Sequence, residues 1–281
     1  MIATRSLKAQ IEHLDTLSTI PSVVRRLLET FENPKTSLSD IASFIAQDPV
    51  LAAKVLKVVN SPIYGFPGRI SSITQALLLL GLNVVRGLLL GVSVLGMMQK
   101  SIVGLWEHSV GTAIVSKVIA RRKGLKDPEV VSVAALLHDI GKVFLNLKFP
   151  EAYKAILAQT DAKAIFIADG ETENFGVTHA DVAAWVGRKW NFPALLIEQM
   201  RYHHKPHLSK NFMLHTSIVH FSDILIRARG FGYGGDGLVP SVDPVAWKIL
   251  SLSRNEIKET LVEVEDLLEQ AEELILAGEI G

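Results

Sequence analysis

Along most of this chain the apolar residues recur every three or four positions rather than every second one. That spacing predicts α-helices, and no run of strands is long enough to build a central sheet. Proline and asparagine stops cut the pattern into short pieces, so the expected fold is all-α, a multi-helix bundle with an N-terminal layer of short stacked helices. The first helix is expected from Leu14 to Phe31, ended by Asn33-Pro34. Ser37-Leu38-Ser39-Asp40 opens a second helix through Ala46, and Gln47-Asp48-Pro49 opens a third that stops at Asn60-Ser61-Pro62. Tyr64 to Gly68 reads as a loop.

The stretch Ile73 to Met98 is the most hydrophobic and is long enough to raise the question of a membrane span. Asn83 and Arg86 at its middle, with Gly81, Gly87, Gly91 and Gly96, argue instead for two consecutive buried helices parted near Gly81-Leu82-Asn83. Further helices are expected to carry His108 through Arg122, to run apolar up to His138-Asp139 and end at Gly141, and to start again at Pro150. Ala162 to Phe175 reads as irregular. Helices then run from His179 to Trp190, Pro193 to Tyr202 and His215 to Arg229, and a capping box at Ser253-Arg-Asn-Glu256 starts a last amphipathic helix through Leu276. The expected organisation is an N-terminal helical part over 1–100, a site-bearing core over 101–230, and a glycine-rich loop with C-terminal helices over 231–281.

Composition removes several classes of function. The 281 residues include no cysteine, which excludes disulfides, thiolate metal sites, iron–sulfur clusters and a cysteine nucleophile. Twenty-nine basic residues balance 29 acidic ones, so no global field draws the protein to nucleic acid or to anionic lipid, and neither partner is expected. With no apolar secretory segment at the start, a cytoplasmic location is expected. Arg25-Arg26 and Arg121-Arg122-Lys123 read as solvated faces. Gly230-Phe-Gly-Tyr-Gly-Gly-Asp-Gly237 reads as a flexible loop, because it follows a helix and lacks the Gly-Lys-Ser or Gly-Lys-Thr of a phosphate cradle.

The adjacent pair His138-Asp139 ends an apolar helical run, and burying such groups unpaired costs about 2 to 7 kcal/mol each. A cation would satisfy them. His108, His179, His203, His204 and Asp223 are the candidate co-ligands, each on or at the end of a helix, and a helical bundle can aim them at one cavity. Nitrogen and oxygen donors in this mixture suit one or two divalent transition ions, iron, manganese, nickel or zinc, better than magnesium. His13, His207 and His215 read as surface residues, and His220 either supports Asp223 or lies at the surface.

Ala135-Leu-Leu-His-Asp-Ile-Gly-Lys142, preceded by His108 and followed by Asp223, resembles the HD superfamily of metal-dependent phosphohydrolases, whose minimal pattern is H…HD…D. The chain to about residue 230 resembles more closely the HDOD domain, the HD-related output domain of bacterial signalling proteins. Leu17-Ser-Thr-Ile-Pro21, Ser37-Leu-Ser-Asp-Ile-Ala42, Asp48-Pro-Val-Leu51, Val58-Val-Asn-Ser-Pro62, Ile70-Ser-Ser-Ile73 and Ala76 through Gly81 carry that likeness.

HDOD domains are regarded as regulatory or interaction modules with a degraded site, yet here the site is kept. His108, His138, Asp139, His179, His203, His204 and Asp223 match ligand positions of the related HD-GYP phosphodiesterases. By the same likeness Asp139 bridges two ions and Lys142 holds a phosphate oxygen, the two catalytic candidates for phosphoester hydrolysis by metal-activated water. Lys205-Pro206-His207 stands where the GYP element would continue, which counts against cyclic-di-GMP hydrolysis, and Gly104 stands where a further glutamate ligand would be. The resemblance thus implies a regulatory module with signalling proteins, or a phosphorylated small molecule or nucleotide, as partners. Its alternative is a metal-dependent phosphohydrolase.

Overall fold

The computed structural model describes residues 37–64 and 70–276, together with Thr30. Apart from Thr30, the expected helix at Leu14 to Phe31 lies outside the described residues, as do His13, Arg25-Arg26 and the loop beyond Tyr64. Among the described residues there is no strand.

The N-terminal layer consists of α1 (Leu38–Ala46), α2 (Pro49–Val59), α3 (Ile73–Leu80) and α4 (Leu82–Ser101). The bundle follows with α5 (Leu105–Arg122), α6 (Pro128–Leu137), α7 (Ile140–Lys148), α8 (Pro150–Lys163), α9 (Ile167–Phe175), α10 (His179–Lys189), α11 (Ala194–Tyr202), a 3-10 turn at Pro206–Leu208, and α12 (Met213–Arg229). After it come α13 (Pro244–Leu250) and α14 (Arg254–Leu276).

Local chemistry explains most of these boundaries. Ser37 and Asp40 make a reciprocal capping box on α1, Ser72 caps α3 through the Gln75 amide, and Ser253 and Glu256 repeat the box at α14. The apolar stretch from Ile73 folds as the two helices α3 and α4, parted at Gly81.

Helix α5 is the central member of the bundle and packs against α6, α12 and α14. Helix α10 lies across α7 and α11, and α4 joins the N-terminal layer to the bundle through α2, α6 and α7. One contiguous cluster of buried apolar side chains runs from Ile41 to Ala271. The final helix packs back on α5 through Val264, Leu268 and Ala271. Arg122 also reaches Glu259 at 3.0 Å and Glu263 at 2.8 Å. Those solvent-accessible pairs contribute little, so the apolar stripe holds the helix.

Pro128–Lys148, which joins α6 and α7, is the one stretch among the described residues long and apolar enough to cross a membrane. Its most apolar window is 83% buried among the other helices, which is where a core element of a bundle lies.

Two boundaries differ from expectation. The apolar run does not end at Gly141: α6 stops at Leu137, His138 and Asp139 form the turn, and Gly141 sits inside α7. Ala162 to Phe175 is not irregular throughout, because Ala164 reverses the chain in a left-handed conformation and α9 then forms over Ile167–Phe175. Its mixture of short polar residues and Gly170 hid the helical period.

The placement of Gly141 is dictated by contact. A Cβ there would lie 2.0 Å from the His179 carbonyl oxygen, so α7 and α10 approach backbone to backbone at this point. Gly141→Ala in a helix would ordinarily add about 1 kcal/mol of stability. The clash with an immovable carbonyl reverses that sign, and a loss of about 3 kcal/mol is expected in denaturant unfolding. A neutral or stabilised Gly141→Ala protein would contradict this packing.

Candidate metal centre

The turn between α6 and α7 aims His138 and Asp139 inward. Around them gather His108 from α5, His179 from the first turn of α10, His203 and His204 from the end of α11, and Asp223 from α12. The seven residues expected to converge do so. Asp139 lies at the middle. Its Oδ2 is 3.3 Å from His138 Nε2 and 3.5 Å from His108 Nε2, whereas its Oδ1 is 3.2 Å from His179 Nε2 and 3.9 Å from His203 Nε2. Asp223 Oδ1 stands 3.2 Å from His108 Nε2. On the other side His204 Nε2 is 2.9 Å from His179 Nε2 and 3.0 Å from His203 Nε2.

The donor atoms form two main groups, His108, His138 and Asp223 on one side and His179, His203 and His204 on the other, and a third group of His138, Asp139 and His203 joins them.

Proton bookkeeping shows what such a site accepts. His138 donates from Nδ1 to the Ala135 carbonyl at 2.6 Å, and His203 donates from Nδ1 to the Met200 carbonyl at 2.8 Å. His179 Nδ1 faces Glu171 Oε2 at 2.7 Å. With the proton on Nδ1, each neutral ring turns a bare Nε2 lone pair inward. Lone pairs then face lone pairs and carboxylates, which is unfavourable unless a cation or an added proton stands between them. Asp139 Oδ1 and Asp223 Oδ2 are buried yet accept no hydrogen bond. Orphaned carboxylate oxygens and inward imidazole lone pairs make a donor set that fits a divalent metal ion.

Burial is nearly complete. His108, His138, Asp139, His179, His203 and Asp223 are each at most 2% exposed, and only His204 reaches solvent, with 22% of its side chain. Its edge opens on a cleft of about 230 Å³ lined by Thr178, Tyr202, Lys205 and Leu208 among others.

Lys142 is also buried. Its ammonium donates to Asp139 Oδ2 and to the Gly234 carbonyl, both at 2.6 Å. Gly230 to Gly237 is thus not a free loop but a cover. At Gly232, with φ of +71°, a Cβ would meet the His108 amide nitrogen at 2.2 Å, so only glycine lets the loop lie on α5. The Tyr233 amide donates to the Gly104 carbonyl at 2.9 Å, and the Asp236 carboxylate accepts from the Ile167 amide at 2.8 Å while pairing with Arg227.

His220 is neither at the surface nor bonded to Asp223. It is buried, donates from Nδ1 to the His203 carbonyl at 2.7 Å, and accepts the Asp243 amide at Nε2 at 2.9 Å. It fixes the backbone that carries the histidine pair. Glu171 was not foreseen at all, since it lies in the stretch that reads as irregular.

The titration behaviour follows from crowding. Burial, reinforced by neighbouring rings, holds His203 and His204 well below the usual imidazole range, and burial also lowers His108 and His220. For His179, burial is the largest single influence and acts downward, but the Glu171 and Asp139 carboxylates together more than offset it, so the ring is raised. Burial alone would raise Asp139 and Asp223; the imidazoles, with Lys142 for Asp139, hold both well below the carboxylate range.

The sequence pattern of the HDOD domain matches residues 17–206. The chain belongs to the HDOD family. A curated protein of Treponema pallidum (strain Nichols) is 29% identical over 236 residues, covering 80% of this chain and 46% of that protein. The chain thus spans about half the length of the curated relative it matches. An HDOD domain protein of unknown function from Geobacter sulfurreducens, 26% identical, has a similar structure with a TM-score of 0.69 over 95% of this chain and 96% of its own. A Marinobacter aquaeolei VT8 protein, provisionally named a signal transduction protein, is 22% identical with a TM-score of 0.71, covering 98% of this chain and 61% of its own. A Shewanella amazonensis SB2B protein, provisionally named a phosphohydrolase, is 21% identical with a TM-score of 0.61, covering 91% and 86%. At those last two identities the likeness is one of fold. The HDOD fold is therefore common to this chain and its structural neighbours.

These shifts fix how the metal-free protein responds to acid. Below about pH 6.5 the unfolded chain binds protons that the depressed rings refuse, so stability falls as pH drops, by up to about 1.4 kcal/mol per pH unit for each ring. His179 acts oppositely: its contribution is complete below about pH 6.5 and is lost as pH rises through its raised folded value. The two carboxylates matter only below about pH 4. His108, His203, His204 and His220 outweigh the single raised ring. Calorimetry of chelator-treated protein should show Tm falling between about pH 7 and 5. A flat or rising Tm would refute these assignments.

Proposed function

We propose that this HDOD protein is a signal-transduction module in which bound divalent metal fixes the shape of the helical bundle, and that signalling partners read that shape. The observation that carries this reading is closure. Lys142, 1% exposed, spends its donors on Asp139 and on the Gly234 carbonyl, and all but one of the candidate ligands are shut away from solvent. A site arranged to meet substrate would leave that ammonium and those positions open; closed sites suit structural or sensing metal.

His108, His138, Asp139 and Asp223 would hold an inner ion, and His179, His203, His204 and Asp139 an outer one, with iron, manganese, nickel or zinc matching the nitrogen and oxygen donors. The N-terminal layer supplies a contact face for a partner protein. Leu78 and Leu79 on α3 are 72% and 56% exposed, the kind of apolar surface that association covers.

Hydrolysis of a phosphoester is the second reading, favoured by the cleft that opens on His204. Lys205 and Arg201 line that cleft, although Asp181 lies 3.8 Å from the Arg201 guanidinium and takes part of its charge. A divalent ion held beside His204 would polarise a phosphoryl oxygen and make water a usable nucleophile near neutral pH. Asp139 and Lys142 would orient and balance charge at the same place.

Metal analysis tests the common part of both readings. Protein reconstituted anaerobically should retain about two equivalents of transition metal. Asp139→Ala should lose both ions, and His204→Ala only the outer one. Negligible metal in the reconstituted wild type would end both readings. Hydrogen exchange then separates them: metal should slow amide exchange in residues 230–237 without turnover of phosphodiesters or nucleotides. Turnover abolished by His138→Ala and Asp139→Ala in folded protein would favour the enzyme instead.

A further inference from the structure

Glu171 is 0% exposed and lies where α8, α9 and α10 meet, bonded to Tyr153 and His179 rather than to a lysine or arginine. Its Oε1 accepts from the Tyr153 hydroxyl at 2.7 Å. Its Oε2 takes both the backbone amide of His179 at 2.7 Å and faces the Nδ1 of the same residue at 2.7 Å. A buried carboxylate is costly to keep, so three short bonds to one acid require a reason.

The reason lies in which end of a helix each histidine occupies. His138 and His203 stand at the C-terminal ends of α6 and α11, where carbonyls lack helical partners, and their Nδ1 protons find the Ala135 and Met200 carbonyls three residues back. His179 is the first residue of α10. A helix N-terminus offers unsatisfied N–H donors and no carbonyl, so this ring has no backbone acceptor for its Nδ1 proton. An acceptor must come from elsewhere. Glu171 supplies it from α9 and satisfies the His179 amide as well.

We propose that Glu171, fixed in turn by Tyr153, is the positioning residue of the outer ion site: it commits His179 to the Nδ1–H tautomer and aims Nε2 at His204 and Asp139. The proposal rests on the metal reading above. A carboxylate behind a ligating imidazole both orients the ring and raises its basicity, and its loss typically weakens metal binding about 10- to 100-fold. The inner group does not depend on it, because His138 is held by its own helix and neither His108 nor Asp223 touches Glu171.

Two measurements test this. In metal-free protein at alkaline pH, where the ring is neutral, long-range 1H–15N spectra should give His179 as the Nδ1–H tautomer. Glu171→Gln should keep that tautomer, since the amide oxygen accepts in the same place, and Glu171→Ala should lose it. In manganese titrations followed by electron paramagnetic resonance, wild-type protein should end in an exchange-coupled pair. Glu171→Ala should stop at a single uncoupled ion with the second bound about 10- to 100-fold more weakly, and Tyr153→Phe and Glu171→Gln should fall between. If Glu171→Ala does not fold, the Gln and Phe variants still decide. An unchanged tautomer in Glu171→Ala, or equal weakening of both ions in any of the three variants, would overturn the proposal and leave Glu171 a packing residue. Absence of any metal in the wild type, with His179 still held as Nδ1–H, would sink the metal reading alone.

Discussion

The Asp139 carboxylate, placed where one buried helix stops and the next begins, is the contact on which the rest of the centre depends. Because α6 ends one residue before His138, two consecutive side chains leave the helical spiral and turn into the core. The two oxygens of Asp139 then face different groups of imidazoles, so a single side chain divides the cavity into two positions and joins them. The break also explains the packing beside it. Gly141 lets α10 come close enough for His179 to reach Oδ1, and Lys142, one turn on, folds back onto Oδ2.

Charge explains why such a cavity persists. Asp139, Asp223 and Glu171 are three buried carboxylates around the centre, and Lys142 is the buried ammonium among them. With neutral imidazoles the cavity would keep an excess of negative charge, which a low-dielectric interior does not tolerate. Extra protons are one remedy, and the raised His179 is where the metal-free protein takes one up. A divalent ion would be the other, and it would also satisfy Asp139 Oδ1 and Asp223 Oδ2, which accept no hydrogen bond while the rings are neutral. Both remedies would compete for the same lone pairs, so any metal affinity of this site would be linked to acidity.

The helical period and the cap residues made most boundaries readable: Ser37 with Asp40, the stop at Asn60-Ser61-Pro62, and Ser253 with Glu256 all stand where short-range chemistry put them. The candidate cluster was legible because the adjacent His138-Asp139 pair interrupts an apolar run, and because His108 and Asp223 complete the H…HD…D pattern around it. What stayed hidden depends on distant backbone. Gly234 acts through its carbonyl, which carries no residue-specific signal, and the glycines around it look like flexibility until α5 is seen beneath them. Glu171 was concealed by α9, whose polar sequence shows no apolar stripe. His220 could be placed on the Asp223 face but not assigned its partners, because the His203 carbonyl it holds is brought there by the fold.

The two halves of the centre differ in how they are built, and that difference bears on the proposed signalling role. The inner group hangs on helices α5, α6 and α12, packed against one another in the bundle and covered by the glycine-rich loop. The outer group hangs on helix ends, the start of α10 and the end of α11, with His204 at the edge of an open cleft. An ion in the inner place could leave only by displacing the loop and the Lys142 bond, whereas one in the outer place has a direct path. Local openings of low free energy occur where few buried contacts must break, so if two ions bind, the outer one would be the one to exchange. A module of the proposed kind, which keeps its fold while responding to its surroundings, would use that division. The inner ion would hold α5, α6 and α12 together, and loss or gain of the outer ion would change how firmly α10 and α11 are tied to that core.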